Sequence, residues 1–231
     1  MKFPRISKYD VLTFILASLL LGVAFSVQFE GPFDISHWIA AFIGNTLLVA
    51  FSISARLYTQ KIKAHKNKAD VEFKLFLPGG AVALLTSLLT AGRLVYTQIN
   101  TLTITPKTTD NKTKALIALY GILMSFALVI FSKFTQNILT FSNELMLINT
   151  YLIIFNLVPA STVLNNIFKK KFLLTEGDKI YFNHTNLWKI TILTASLNLI
   201  VLWTIPNVLT SLFIVFLITL AAYGIYTKKY R

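Results

Sequence analysis

The stretch ARLYTQKIKAHKNKADVEFKLF, residues 55–76, follows eighteen nearly unbroken apolar residues (38–55) and carries six of the chain's 22 Lys and Arg. An apolar helix that ends in a burst of cations is read as a membrane span reaching an interface, where long basic side chains bury their stems and lift their charges to anionic lipid phosphates. On that reading Arg56, Lys61 and Lys63 are lipid-interface residues, and Lys169, Lys170 and Lys171 form a second such cluster.

The rest of the chain agrees with a membrane assignment. Of 231 residues 55% are hydrophobic and only 13% charged, and mean hydropathy is +0.66. Apolar segments fall at 11–29, 38–55, 75–92, 115–132, 145–160, 188–205 and 207–226. Each approaches the roughly 20 helical residues that hydrocarbon about 30 Å thick requires. The first, VLTFILASLLLGVAFSVQF, is too long for a signal peptide and lacks a small-residue cleavage pattern, so it reads as a retained anchor. The last two are joined at Thr204-Ile205-Pro206-Asn207, which makes 188–226 a C-terminal helical hairpin.

Charge decides the topology. If all seven segments crossed, Lys169–Lys171 would face the side opposite Arg56–Lys74, against the positive-inside bias. Segment 75–92 opens on Leu77-Pro78-Gly79-Gly80 and closes on Ala91-Gly92-Arg93, helix breakers at both ends. Taken as a re-entrant or short membrane segment, it leaves six crossings and puts residues 1–10, 56–74, 93–114, 161–189 and 227–231 on the cytoplasmic side with 21 of the 22 basic residues. The expected architecture is therefore a single polytopic membrane domain, 1–231, all-α. It has six transmembrane helices, cytoplasmic basic loops at 56–74, 93–114 and 161–189, and both termini inside the cell.

The net charge of +13 is spent on these loops and gives no reason to expect a nucleic-acid partner. With no cysteine, disulfides and thiolate chemistry are excluded. Ionisable side chains are nearly missing from the proposed crossings, which argues against an ion or proton pump.

Three stretches taken in order carry a resemblance: Ala69-Asp70-Val71-Glu72-Phe73-Lys74-Leu75-Phe76 followed by Leu77-Pro78-Gly79-Gly80; ALIALYGILMSF at 115–126; and FNLVPA at 155–160. Together they resemble the site-2 proteases, intramembrane zinc metalloproteases, and in particular their prokaryotic, archaeal branch. The resemblance implies a metal-binding HExxH motif on the second helix, about sixteen residues before the first stretch, with two histidines one turn apart and a general-base glutamate. Counted back without a gap, that motif falls on Arg56-Leu57-Tyr58-Thr59-Gln60. Arg56 and Gln60 replace the histidines and Leu57 the glutamate; a guanidinium repels zinc and a leucine moves no proton. A gapped register on His37-Trp38-Ile39-Ala40-Ala41 keeps one His and loses the rest. The third family ligand, an Asp after the Asn-Leu-x-Pro stretch, reads Leu164. His65 and His184 have no second ligand at metal spacing, so no metal and no cofactor are expected.

What the resemblance leaves is a client groove. The Asn-x-x-Pro stretch of the family is thought to touch an unwound substrate, which makes Asn156 and Pro159 groove candidates together with Gly79, Gly80 and Gly121. The expected function is a proteolytically inactive relative that binds transmembrane segments as an adaptor or regulator. The rivals are a structural subunit of a larger membrane complex and, further off, an active metalloprotease. Expected partners are the lipid bilayer, through anionic headgroups, and other transmembrane proteins.

Overall fold

The structure, a computed structural model, describes residues 8–27, 34–106, 109–159 and 175–230. Its elements run α1 (Lys8–Ser26), α2 (Ile35–Lys66), β1 (Asp70–Leu75), α3 (Leu77–Leu89), β2 (Asn100–Thr105), α4 (Asn111–Thr135) and α5 (Ser142–Leu157), then α6 (Glu176–Asn183), α7 (Thr185–Thr204) and α8 (Val208–Tyr230). Among the described residues five helices are long and apolar enough to cross a membrane: α1, α2, α4, α7 and α8. Six crossings were expected. Segment 145–160 differs because α5 has only 16 residues, about 24 Å at the helical rise. It stops at Leu157, two residues before Pro159, whose ring cannot continue a helix.

The opening stretch is not a loop. Helix α2 carries straight through Arg56 to Lys66 and ends in a Schellman turn: Ala69 N–H donates to Ala64 O, Lys68 N–H to His65 O, and Lys68 takes φ 54°. Polar composition changed at residue 56, but nothing there broke the backbone ladder. Its 32 residues extend about 48 Å, well beyond the hydrocarbon thickness.

The fold is helical, as expected of an all-α membrane protein, with one two-stranded sheet that the sequence reading did not include: β1 pairs antiparallel with β2, Asp70 opposite Thr105 and Leu75 opposite Asn100. The 93–114 stretch thus contributes a strand and the first turn of α4, and 161–189 contributes α6 and the start of α7. Between the strands α3 makes a 13-residue excursion, started by Pro78 in its first turn and stopped by a second Schellman turn with Ala91 at φ 53°. Pairing of β1 with β2, extended by Phe76 N–H donating to Ile99 O at 2.7 Å, brings the entry and exit of this excursion together.

Two apolar cores result. One gathers Leu21, Val49, Ile53, Ala83 and Ile148 from α1, α2, α3 and α5. The other gathers Ile117, Ile122, Ile153, Ile180 and Leu202 from α4 to α7 with the inner face of the sheet. Leu57 of α2 packs against both, so the turn of α2 around residue 57 runs between them.

Candidate functional site

Along that turn, Arg56 and Gln60 lie four residues apart and so share one face of α2. Both reach the same carboxylate. Arg56 Nη2 donates to Glu176 Oε2 at 2.6 Å, and Gln60 Nε2 donates to Glu176 Oε1 at 2.7 Å and, more weakly, to Ala118 O at 3.4 Å. Arg56 is 6% exposed, Gln60 0% and Glu176 4%. A carboxylate taken this far from water needs its charge matched and its lone pairs filled, and the site supplies both.

Glycines make the approach possible. A Cβ on Gly121 would lie 2.2 Å from Gln60 Nε2 and 2.8 Å from Glu176 Oε1, so α4 yields the space in which the two side chains meet. A Cβ on Gly177 would lie 2.4 Å from Leu157 O, so α6 abuts the C-terminal end of α5 by its backbone. Trp188 Nε1 donates to the same Leu157 carbonyl at 2.9 Å, satisfying an acceptor that the helix end leaves orphaned.

Helix α6 brings Glu176 in at its first position, where the amide dipoles favour a carboxylate. Its start is written locally as a capping box: Asp178 N–H donates to Thr175 Oγ1 and Thr175 N–H to Asp178 Oδ2. Burial lowers the Lys179 amine to about 8, with Asp178 and Glu176 pulling the other way. Burial, with Asp178 nearby, raises the Tyr96 phenol to about 12.

A cavity beside the ion pair is lined by Ile53, Arg56, Phe73, Asn100, Leu102, Asn156 and Glu176. Among the described residues Glu176 is the one acceptor of the Arg56 guanidinium, which has five N–H donors in all. Asn156 contributes to that wall while its amide donates to Leu152 O at 2.8 Å within its own helix.

The residues singled out from sequence therefore divide. Arg56, Gln60 and Gly121, from two separate stretches, meet at one carboxylate, and Asn156, from a third, lines the cavity beside it. Gly79 and Gly80 do not join them: Gly79 faces the Gln98 carbonyl and Phe76, and Gly80 faces Leu20 of α1. Pro159 is half-buried just past α5. Leu164, Lys169, Lys170 and Lys171 lie outside the described residues.

The lipid-facing role expected of Arg56 and Lys61 is corrected. Arg56 turns inward, and Lys61, 5% exposed, pairs with Asp10 Oδ2 of α1 at 2.9 Å. The other oxygen of Asp10 accepts Phe73 N–H at 3.0 Å, which pins β1 to α1. Lys63 sits with its amine 5.0 Å from the centre of the Tyr120 ring. Polar partners on α1 and α6 outcompete a snorkelling geometry because the cations lie on the inner faces of α2.

Glu176 and Asp10 had no place in the sequence reading. Each acts over a long separation, 120 residues from Arg56 and 51 from Lys61, and no local spacing encodes that. The capping box Thr175-Glu176-Gly177-Asp178 was the available sign that a helix starts inside the basic stretch.

As a metal centre the site does not fit. Its single carboxylate is already held by a guanidinium and a carboxamide, the guanidinium would repel a dication, and no histidine is among the groups gathered there. Among the described residues no three His, Cys, Asp or Glu stand together at metal-binding distance. No family model, no curated protein and no solved structure matches the chain.

Proposed function

We propose that this chain is a proteolytically inactive, site-2-protease-like membrane protein that binds transmembrane segments of client proteins as an adaptor or regulator. One observation carries the reading: of the positions chosen by resemblance, Arg56, Gln60 and Gly121 converge on the Glu176 carboxylate and Asn156 lines the cavity beside it. An ion pair stands where the family would hold a metal. In this reading α5 makes a sixth crossing, α3 is the re-entrant element, both termini face the cytoplasm, and the basic segments rest on anionic lipid of the cell membrane.

The test is photocrosslinking from a probe beside Asn156 to a co-expressed client helix. An Asn156→Leu variant is expected to capture less; equal capture by wild type and variant contradicts the reading.

A second reading, a structural subunit of a larger membrane complex, is favoured by α8. This helix packs chiefly on α7 and turns Leu209, Phe213, Phe216 and Tyr223 outward, each more than 60% exposed. Mild detergent extraction separates the two: a fixed partner at constant stoichiometry supports the subunit reading, and a monodisperse single chain supports the first.

A further inference from the structure

The carboxylate in the site belongs to a small element that carries its own cap. Helix α6 has eight residues, and its capping box satisfies its own first amides, so the donors orphaned by lifting it out are those of Arg56 and Gln60. Two helical turns have little stability in isolation, and α6 is held by Glu176, by Ile180 and by the Gly177 backbone against α5.

Arg56 cannot leave with it. It sits on a continuous helix between the two cores, and a guanidinium left buried without a counter-charge is strongly destabilising. An apolar segment alone is therefore a poor replacement for α6. A segment that brings its own carboxylate is a good one, because Arg56 and Gln60 already hold one donor for each carboxylate oxygen and Gly121 leaves the room between them. Arg56 and Asn100 also line the adjoining cavity.

We propose that α6 is an internal stand-in for the client, and that the site selects client membrane segments by an acidic side chain that replaces Glu176 on Arg56 and Gln60. This rests on the client-binding reading above and names the chemistry that the client must carry.

The chain has no cysteine, so a pair of spin labels at Lys66→Cys and Phe182→Cys, both exposed, reports the docking of α6 on α2. The protein is reconstituted in phosphatidylcholine vesicles with a synthetic apolar helix of about 25 residues, long enough to span, bearing one Glu near its cytoplasmic end, or with its Gln twin. The Glu peptide is expected to lengthen the label distance at a concentration at least tenfold below that of the Gln peptide. Arg56→Gln should abolish the difference, and Glu176→Gln should lower the peptide concentration needed. Equal potency of the two peptides on wild type overturns the proposal, and that comparison stands even where a variant fails to fold. The same lengthening produced by anionic lipid without peptide also overturns it. If both peptides crosslink beside Asn156 equally well, client binding survives and acidic selection falls; if neither crosslinks, both fall.

Discussion

Arg56 on α2 and Glu176 on α6, 120 residues apart in the chain, form a buried ion pair of 2.6 Å in which Gln60 occupies the second carboxylate oxygen. Removing one member of such a pair strands the other. Arg56→Met or Glu176→Leu alone should each destabilise the protein by about 3–5 kcal/mol. The double substitution should recover most of that loss. Thermal unfolding in detergent micelles measures all three; a double variant as damaged as the sum of the singles would show that the two side chains are not coupled.

The two close approaches have no spare volume. Gly121→Ala places a methyl against Gln60 and Glu176, and Gly177→Ala places one against the Leu157 carbonyl. Overpacking of this kind costs about 1–3 kcal/mol, and the Gly177 change falls on backbone, which yields least. A lowered Tm in both, larger for Gly177→Ala, is expected, while Gly44→Ala, where nothing lies within 4 Å, should be neutral or slightly stabilising.

The second buried pair ties the start of α1 to the sheet. Asp10→Asn removes the charge that Lys61 needs and weakens the acceptor for Phe73 N–H. Amide hydrogen exchange across 70–75 and 100–105 should quicken in this variant, while exchange in α8, which packs chiefly on α7, stays unchanged. Uniform exchange would argue that Asp10 stabilises the whole fold rather than β1.

Alkaline titration should be biphasic. Lys179 has its pKa lowered to about 8 from 10.5, so its buried charge penalises the folded state below about pH 8, and the penalty is lost as pH rises toward 10.5. Tyr96 has its pKa raised to about 12 from 10.0, so the folded state resists an ionisation open to the unfolded chain, and stability falls between those values. Stability should therefore climb above pH 8 and turn over at about pH 10. Lys179→Met should erase the climb and keep the fall; an unchanged climb would assign it to another group.

The long apolar runs of α1, α2, α4, α7 and α8 were legible because lipid demands length and hydropathy, which are properties of composition. Strand β1 was not read, although Val71, Phe73 and Leu75 alternate with Asp70, Glu72 and Lys74; the period-two signal lay hidden behind six cations that read as loop. Half of the site could be found, because Arg56, Gln60, Gly121 and Asn156 fall on stretches with recognisable neighbours. The other half could not. Glu176 is chosen by three-dimensional proximity to Arg56, and charge counting placed Arg56 at the lipid interface and Glu176 in a cytoplasmic loop when each is the reason the other can be buried.

If, as proposed, the Arg56–Glu176 ion pair fills the place of a catalytic metal, elemental analysis of the purified, membrane-extracted chain should find zinc far below one equivalent per chain after mild purification, the same in wild type and in Glu176→Gln. One equivalent of zinc in wild type that is lost in Glu176→Gln would contradict it.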